Sequence, residues 1–102
     1  MKSITANELL QLINNKTDFQ LIDVREAEEH DEFNIGGTLI PLAQITQQLH
    51  QVAKQKPVIV YCRKGIRSQI AIQRLQDKFP FTNLINLIGG TEAWNREVDE
   101  KV

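Results

Sequence analysis

The chain has 102 residues, of which 41% are hydrophobic and 25% are charged, and its formal net charge is -1. This composition is that of a folded globular domain and excludes a disordered or collagen-like chain. A nearly neutral chain gives no reason to expect nucleic acid or an anionic membrane as a partner, and no apolar run reaches the ~20 residues that cross a bilayer. The prediction is a single domain over residues 1–102, with one hydrophobic core.

Cysteine and histidine are scarce in this chain. Cys62 is the single cysteine, so no internal disulfide can form, and His30 and His50 stand apart. Neither residue type occurs at the spacing of metal ligands, and the first residues turn polar too early for a secretory signal. We therefore expect a cytoplasmic protein that needs no metal or other cofactor.

The first third of the chain predicts a helix, a strand and a second short helix. Thr5 and Glu8 match a capping box, and the helix that follows has an apolar side made of Leu9, Leu10, Leu12 and Ile13. Residues 19–24, FQLIDV, form an apolar run of strand length. The polar residues 25–33 after it indicate a loop with a brief helix.

The middle of the chain continues the alternation. The paired glycines of NIGGT, residues 34–38, predict a turn, and a short strand should follow at 38–40. Residues 42–53 carry apolar side chains at helical spacing and predict a helix. Residues 58–61, VIVY, are apolar on both faces, which is typical of a central strand of a parallel sheet.

The last third completes an α/β pattern. A roughly helical period predicts a helix over 66–79, with Ile66, Ile70, Leu75 and Phe79 on its apolar side. Residues 83–87, NLINL, predict a buried strand, and Gly89–Gly90 should turn into a helix with Thr91 as N-cap. The pattern indicates an α/β fold: a mainly parallel central β-sheet of about five strands with helices on both faces.

The segment YCRKGIRS, residues 61–68, concentrates reactive groups at the carboxyl end of a strand, where such sheets bind ligands. A thiol attacks as its thiolate, and that form is favoured by nearby cations and by the positive end of a helix. Gly65 allows backbone N–H groups to turn inward around an anion. We predict a nucleophilic Cys62 in an anion-binding loop formed by Arg63, Lys64, Gly65, Ile66, Arg67 and Ser68. The simpler alternative is a small buried hydrophobic side chain.

This segment resembles the active-site loop of the rhodanese family of sulfurtransferases. Three further segments match the family in order: LIDVRE at 21–26, NIGGTLIPL at 34–42 and NLIGGTEAW at 86–94. Asn34 and Gly36 replace the family's usual His and Pro, which predicts a looser turn there. Asp23 and Arg25 are expected to orient loops through hydrogen bonds, and Trp94 to pack against the sheet.

The resemblance implies that Cys62 takes sulfur from a small anionic donor such as thiosulfate, holds it as a persulfide and passes it to cyanide or a thiol. It implies no cofactor. One alternative is a sulfur-carrier or interaction module that a sulfur-relay protein partner loads, with little thiosulfate turnover. A cysteine-dependent phosphatase is less favoured, because its loop is one residue longer and it needs a carboxylic acid, which the sequence near Cys62 lacks.

Overall fold

The computed structural model describes residues 1–98. Its centre is a parallel sheet of five strands in the order β1-β5-β4-β2-β3. The strands are β1 (Ser3–Ile4), β2 (Gln20–Asp23), β3 (Thr38–Leu39), β4 (Val58–Tyr61) and β5 (Leu84–Leu87). The predicted α/β class is confirmed. The sequence pattern had not indicated β1, because a strand of two residues shows no periodicity.

Four α-helices and one 3₁₀ segment cover the sheet. The helices are α1 (Ala6–Asn14), α2 (Ala27–Glu32), α3 (Arg67–Lys78) and α4 (Gly90–Glu97). The helix predicted over 42–53 is a 3₁₀ segment, Leu42–Gln51, with a kink at Gln48. Leu42 and Ile45 within it are three residues apart, and side chains at this spacing align along a 3₁₀ helix.

The sheet has a hydrophobic layer on each face. Val58 and Val60 of β4 point into the layer below α3 and the 3₁₀ segment, while Ile59 and Tyr61 point into the layer that also contains Trp94. All four residues of β4 are fully buried, as expected for a central parallel strand. The predicted packing of Trp94 is confirmed.

Two details of the helices differ from the prediction. Helix α3 buries Ser68, Ala71, Ile72 and Leu75, whereas Ile66 precedes the helix and is 63% exposed. The buried side of α3 includes the small residues Ser68 and Ala71. A prediction based only on bulky apolar residues therefore placed the wrong side of the helix against the sheet. Thr91 is not the N-cap of α4, because Gly89 takes that position with a φ of 73°, a left-handed conformation that favours glycine.

Within residues 1–98, no helix is both long and apolar enough to cross a membrane.

Candidate active site at Cys62

The Cys62 loop, residues 62–68, joins the carboxyl end of β4 to the first turn of α3. Cys62 is 1% exposed, yet it lies at the floor of an open depression of about 220 Å³. The depression is lined by Cys62, Arg63, Lys64, Ile66 and Arg67. Cys62 is also part of the hydrophobic layer on the α3 side of the sheet, so it lies between the core and this depression.

The sulfur atom faces donors of the protein backbone. The N–H group of Gly65 lies 3.1 Å from Sγ of Cys62, and that of Ser68, in the first turn of α3, lies 3.4 Å from it. The Ser68 hydroxyl is also 3.4 Å from Sγ. Backbone N–H groups at a helix start stabilise negative charge without a counter-ion, so this arrangement suits an anionic sulfur.

Gly65 is required by the shape of the loop. Its φ is +92°, and a Cβ atom there would lie 3.0 Å from the backbone nitrogen of Gly89 and 3.4 Å from the carbonyl oxygen of Leu87. Any other residue would meet both an unfavourable backbone conformation and the backbone of the turn before α4. The glycine allows the loop to turn its N–H group towards Cys62.

The start of α4 holds the Cys62 loop from the other side. The N–H group of Thr91 donates to the carbonyl oxygen of Cys62 at 2.9 Å, and that of Glu92 donates to the carbonyl oxygen of Arg63 at 3.1 Å. A Cβ atom on Gly90 would collide with the Cys62 carbonyl oxygen and lie 2.6 Å from the Arg63 carbonyl carbon. The sequence predicted a turn at these glycines but not their contact with the loop.

The three cations of the loop have different environments. Arg67 donates two hydrogen bonds to Glu29, of 2.7 and 2.8 Å, and Arg63 donates one to Glu92 at 3.1 Å. The hydrogen bonds from Arg67 lower the pKa of Glu29 to about 2. Lys64 makes no ion pair or side-chain hydrogen bond within residues 1–98. Lys64 is thus the loop cation whose charge is not paired with a carboxylate.

The fold brings carboxylates to the loop that are distant in sequence. Glu29 lies on α2 and Glu92 on α4, and each is bonded to an arginine of the Cys62 loop. Because the pKa of Glu29 is about 2, this carboxylate is ionised at neutral pH and has no proton to give to a leaving group.

Beside the loop lies the Asp23 cluster, formed by Asp23, Arg25 and His30. Asp23 is fully buried. It accepts hydrogen bonds from the backbone N–H, Nε and Nη2 of Arg25 and from Nδ1 of His30, at 2.8 to 3.0 Å. Burial alone would raise the pKa of Asp23, but the bonds from Arg25 and His30 outweigh it and lower the pKa. Arg25 also donates to the carbonyl oxygen of Phe33 at 2.6 Å, so the predicted loop-orienting hydrogen bonds are confirmed.

The turn at 34–38, which was expected to be loose, is anchored by Tyr61. The hydroxyl of Tyr61 donates to the carbonyl oxygen of Gly36 at 2.9 Å and accepts from the N–H group of Ile35 at 3.2 Å. Burial is the main reason that the pKa of Tyr61 is raised to about 12. The hydroxyl therefore stays protonated and keeps both bonds at neutral pH.

Asn86 is a polar residue of the site that the sequence analysis missed. It lies on β5 within the apolar segment NLINL, is 5% exposed, and accepts a hydrogen bond from the Ser68 hydroxyl. An amide inside a buried apolar strand was the available signal, because a buried polar group needs a specific partner.

The fold is an α/β domain with its single cysteine directly after a central strand, and comparisons with known proteins identify its family. Residues 5–97 match the family described as Rhodanese-like domain. The thiosulfate sulfurtransferase GlpE of Coxiella burnetii is 35% identical over 94 residues, which cover 91% of this chain and 86% of that protein. The chain belongs to the rhodanese-like family.

Two further relatives place this domain in different settings. A crystal structure of a rhodanese-like domain protein from Staphylococcus aureus superimposes with a TM-score of 0.84, at 30% identity, covering 96% of this chain and 95% of that one. The adenylyltransferase and sulfurtransferase MOCS3 of Drosophila willistoni is 38% identical over 88 residues, covering 78% of this chain. This chain spans only 19% of that larger protein.

Proposed function

We propose that the protein is a sulfurtransferase that moves sulfane sulfur from thiosulfate, or a similar anionic donor, to a thiophilic acceptor such as cyanide or a thiol. The observation that carries this proposal is that Cys62 lines an open depression while its Sγ lies within reach of two backbone N–H groups. Membership in the rhodanese-like family and the likeness to GlpE support it.

In the first step, the Cys62 thiolate attacks the outer sulfur of thiosulfate. A bond forms between Sγ and that sulfur, and the S–S bond of thiosulfate breaks. Its electron pair leaves with sulfite, so Cys62 then carries a persulfide with one negative charge. The backbone N–H groups of residues 63–68 hold the donor and then the charged outer sulfur. Lys64 adds attraction for the incoming dianion, because its charge is not paired.

In the second step, the acceptor attacks the outer sulfur of the persulfide. Cyanide forms thiocyanate and a thiol acceptor forms its own persulfide, and in either case the electron pair of the broken S–S bond returns to Cys62 as thiolate. The N–H groups of Gly65 and Ser68 stabilise that thiolate. The cycle needs no cofactor and consumes no oxidant, and a reducing compartment such as the cytoplasm suits a site that must keep its thiol free.

Intact-protein mass spectrometry after incubation with thiosulfate tests this proposal. We expect the mass to rise by one sulfur atom and to return to its starting value when a reductant or cyanide is added. Cys62→Ser is the matched control, because a hydroxyl is too poorly ionised to attack, and it should gain no sulfur. A wild-type protein that stays unmodified, or a Cys62→Ser variant that gains sulfur, would refute the assignment. Hydrolysis of a phosphate ester without the sulfur adduct would favour a phosphatase.

A second function, sulfur carrier for a protein partner, has one observation in its favour. Ile66 lines the depression beside Cys62 and is 63% exposed. An exposed apolar side chain of this size at that place suits docking of another protein. A steady-state assay with thiosulfate and cyanide distinguishes the two functions, since a carrier would turn over thiosulfate very slowly.

A further inference from the structure

Asn86 occupies a position where the strand pattern calls for an apolar side chain. It lies two residues after Leu84, which belongs to the hydrophobic layer below α3, and side chains two apart on a strand share a face. Burying an amide costs free energy unless it is hydrogen-bonded. The bond that Asn86 makes here is to Ser68, whose hydroxyl also lies 3.4 Å from Cys62 Sγ.

The Ser68 hydroxyl has one proton and two neighbours that can accept it. The carbonyl oxygen Oδ1 of Asn86 has no proton of its own, so Ser68 is the donor in that bond. While this bond exists, Ser68 presents only a lone pair to the sulfur. That arrangement suits a protonated thiol, which can donate to the hydroxyl oxygen. It gives a thiolate no hydrogen bond from the Ser68 side chain.

We propose that Asn86 is a positioning residue that competes with Cys62 for the proton of the Ser68 hydroxyl. When Cys62 is a thiol, protons are donated along one chain, from sulfur to Ser68 and from Ser68 to Asn86. When Cys62 is a thiolate, the hydroxyl turns to the sulfur and becomes a third donor beside the N–H groups of Gly65 and Ser68.

When Cys62 carries a persulfide, the Ser68 hydroxyl donates its hydrogen bond to Asn86 again. In that state the negative charge lies on the outer sulfur, so Sγ is a weak acceptor and the amide oxygen regains the proton. This consequence for turnover rests on the proposed function, whereas the competition itself is a property of the free thiol. Ser68 is fully buried, so bulk water does not replace either partner.

The test measures the rate of alkylation of Cys62 by iodoacetamide as a function of pH, using intact-protein mass. Asn86→Leu removes the competing acceptor and keeps the branched shape and the number of heavy atoms of the side chain. We expect the midpoint of its rate profile to lie about half to one pH unit below that of the wild type, the equivalent of one net hydrogen bond. Asn86→Asp offers a charged acceptor and should move the midpoint upward. Asn86→Ala, a smaller substitution, should repeat the effect of Asn86→Leu.

The Ser68→Ala background shows whether the effect passes through the hydroxyl. In that background Asn86→Leu should leave the midpoint unchanged. Asn83→Leu is the matched control, because that amide donates only to the carbonyl oxygens of Ala53 and Lys56, and it should not move the profile. The charged groups around Cys62 stay the same in these neutral variants: Arg63, Lys64, Arg67, Glu29 and Glu92.

An unchanged midpoint in folded Asn86→Leu and Asn86→Ala, or an equal shift in the Ser68→Ala background, would overturn the proposal. Folding of each variant is checked by circular dichroism. Because alkylation involves no sulfur donor, its result is separate from the persulfide test. A protein that fails to take sulfur from thiosulfate can still confirm or refute the role of Asn86.

Discussion

The loops after β2 and β4 are neighbours at the carboxyl end of the sheet, and they surround an acidic group with different kinds of hydrogen-bond donor. In the Asp23 cluster, a buried carboxylate is matched by the side chains of Arg25 and His30. In the Cys62 loop, the sulfur meets backbone N–H groups instead. The guanidinium of Arg25 balances a permanent anion, whereas backbone dipoles suit an anion that comes and goes. The first loop is built for rigidity and the second for a changing charge.

The comparison is tested most strongly by Asp23→Ala. Removing the carboxylate leaves Arg25 buried without its counter-charge, and losing one partner of a buried pair costs about 3 kcal/mol. We expect the urea midpoint to fall accordingly. Asp18→Ala is the control, because its ion pair with Lys56 is exposed and exposed pairs contribute little. Equal stability losses in the two variants would contradict the role of the Asp23 cluster.

The backbone support of the Cys62 loop is tested by Gly90→Ala. The new methyl group would press on the carbonyl groups of Cys62 and Arg63, so we expect a loss of about 2 kcal/mol in stability and a fall in sulfur transfer of about 100-fold.

Gly36→Ala is the matched control for Gly90→Ala. Gly36 also has a positive φ, of +110°, but a Cβ there meets nothing within 4 Å. The Gly36→Ala variant should lose about 1 kcal/mol of stability, through backbone strain alone, and should keep its sulfur-transfer activity. Full sulfur transfer in Gly90→Ala would show that α4 does not hold the loop in its active shape.

The cations of the Cys62 loop should contribute unequally to the use of thiosulfate. Arg67→Ala exposes the unpaired charge of Glu29 next to an anionic donor, so we expect kcat/KM for thiosulfate to fall about 10-fold. Lys64→Ala removes an exposed, unpaired charge and should lower kcat/KM for thiosulfate about 3-fold. Added salt should reduce this effect because it screens the charge.

The double variant Glu29→Gln/Arg67→Ala separates the two contributions of Arg67. It removes both members of the ion pair, so it should recover most of the activity that Arg67→Ala loses. Steady-state kinetics with thiosulfate at two salt concentrations measures all four proteins. If the double variant is no better than Arg67→Ala, the arginine itself contacts the donor and the repulsion by Glu29 is negligible.

The smallest expected effect is the pH dependence of the Glu29–Arg67 pair. The pKa of Glu29 is lowered from 4.5 to about 2 in the folded protein, so its stabilising contribution is present above about pH 4.5 and is lost as the pH falls towards 2. Relative to Glu29→Gln, the wild type should gain up to about 1 kcal/mol at pH 6 and nothing near pH 2. Urea unfolding of both proteins across this range measures the difference. A difference that stays constant with pH would contradict the low pKa.

Much of this architecture was predictable because it is encoded locally. The strand VIVY, the glycine and the helix that follows are contiguous, so a sequence pattern could indicate Cys62 at a strand end facing a helix start. The two-sided burial of β4 follows from its four apolar residues. Where the pattern gave the wrong detail, at Ile66 and Thr91, the deciding factors were small buried residues and a left-handed glycine.

The missing parts of the site are contacts between segments that are distant in sequence. Arg67 and Glu29 are 38 positions apart, and Ser68 and Asn86 are 18 apart. Periodicity and spacing carry no information about which loop a helix end will meet. For the same reason the three cations of the Cys62 loop looked equivalent in the sequence, although two of them have carboxylate partners.

The hydrogen bonds from α4 to the Cys62 loop also bear on how the protein is made. The carbonyl groups of Cys62 and Arg63 receive their partners from Thr91 and Glu92, close to the end of the described chain. During synthesis the cysteine therefore emerges well before the residues that shape its surroundings. A ribosome-bound intermediate that stops short of Gly90 carries the thiol without this support, so the Cys62 loop reaches its final shape only after α4 has been made.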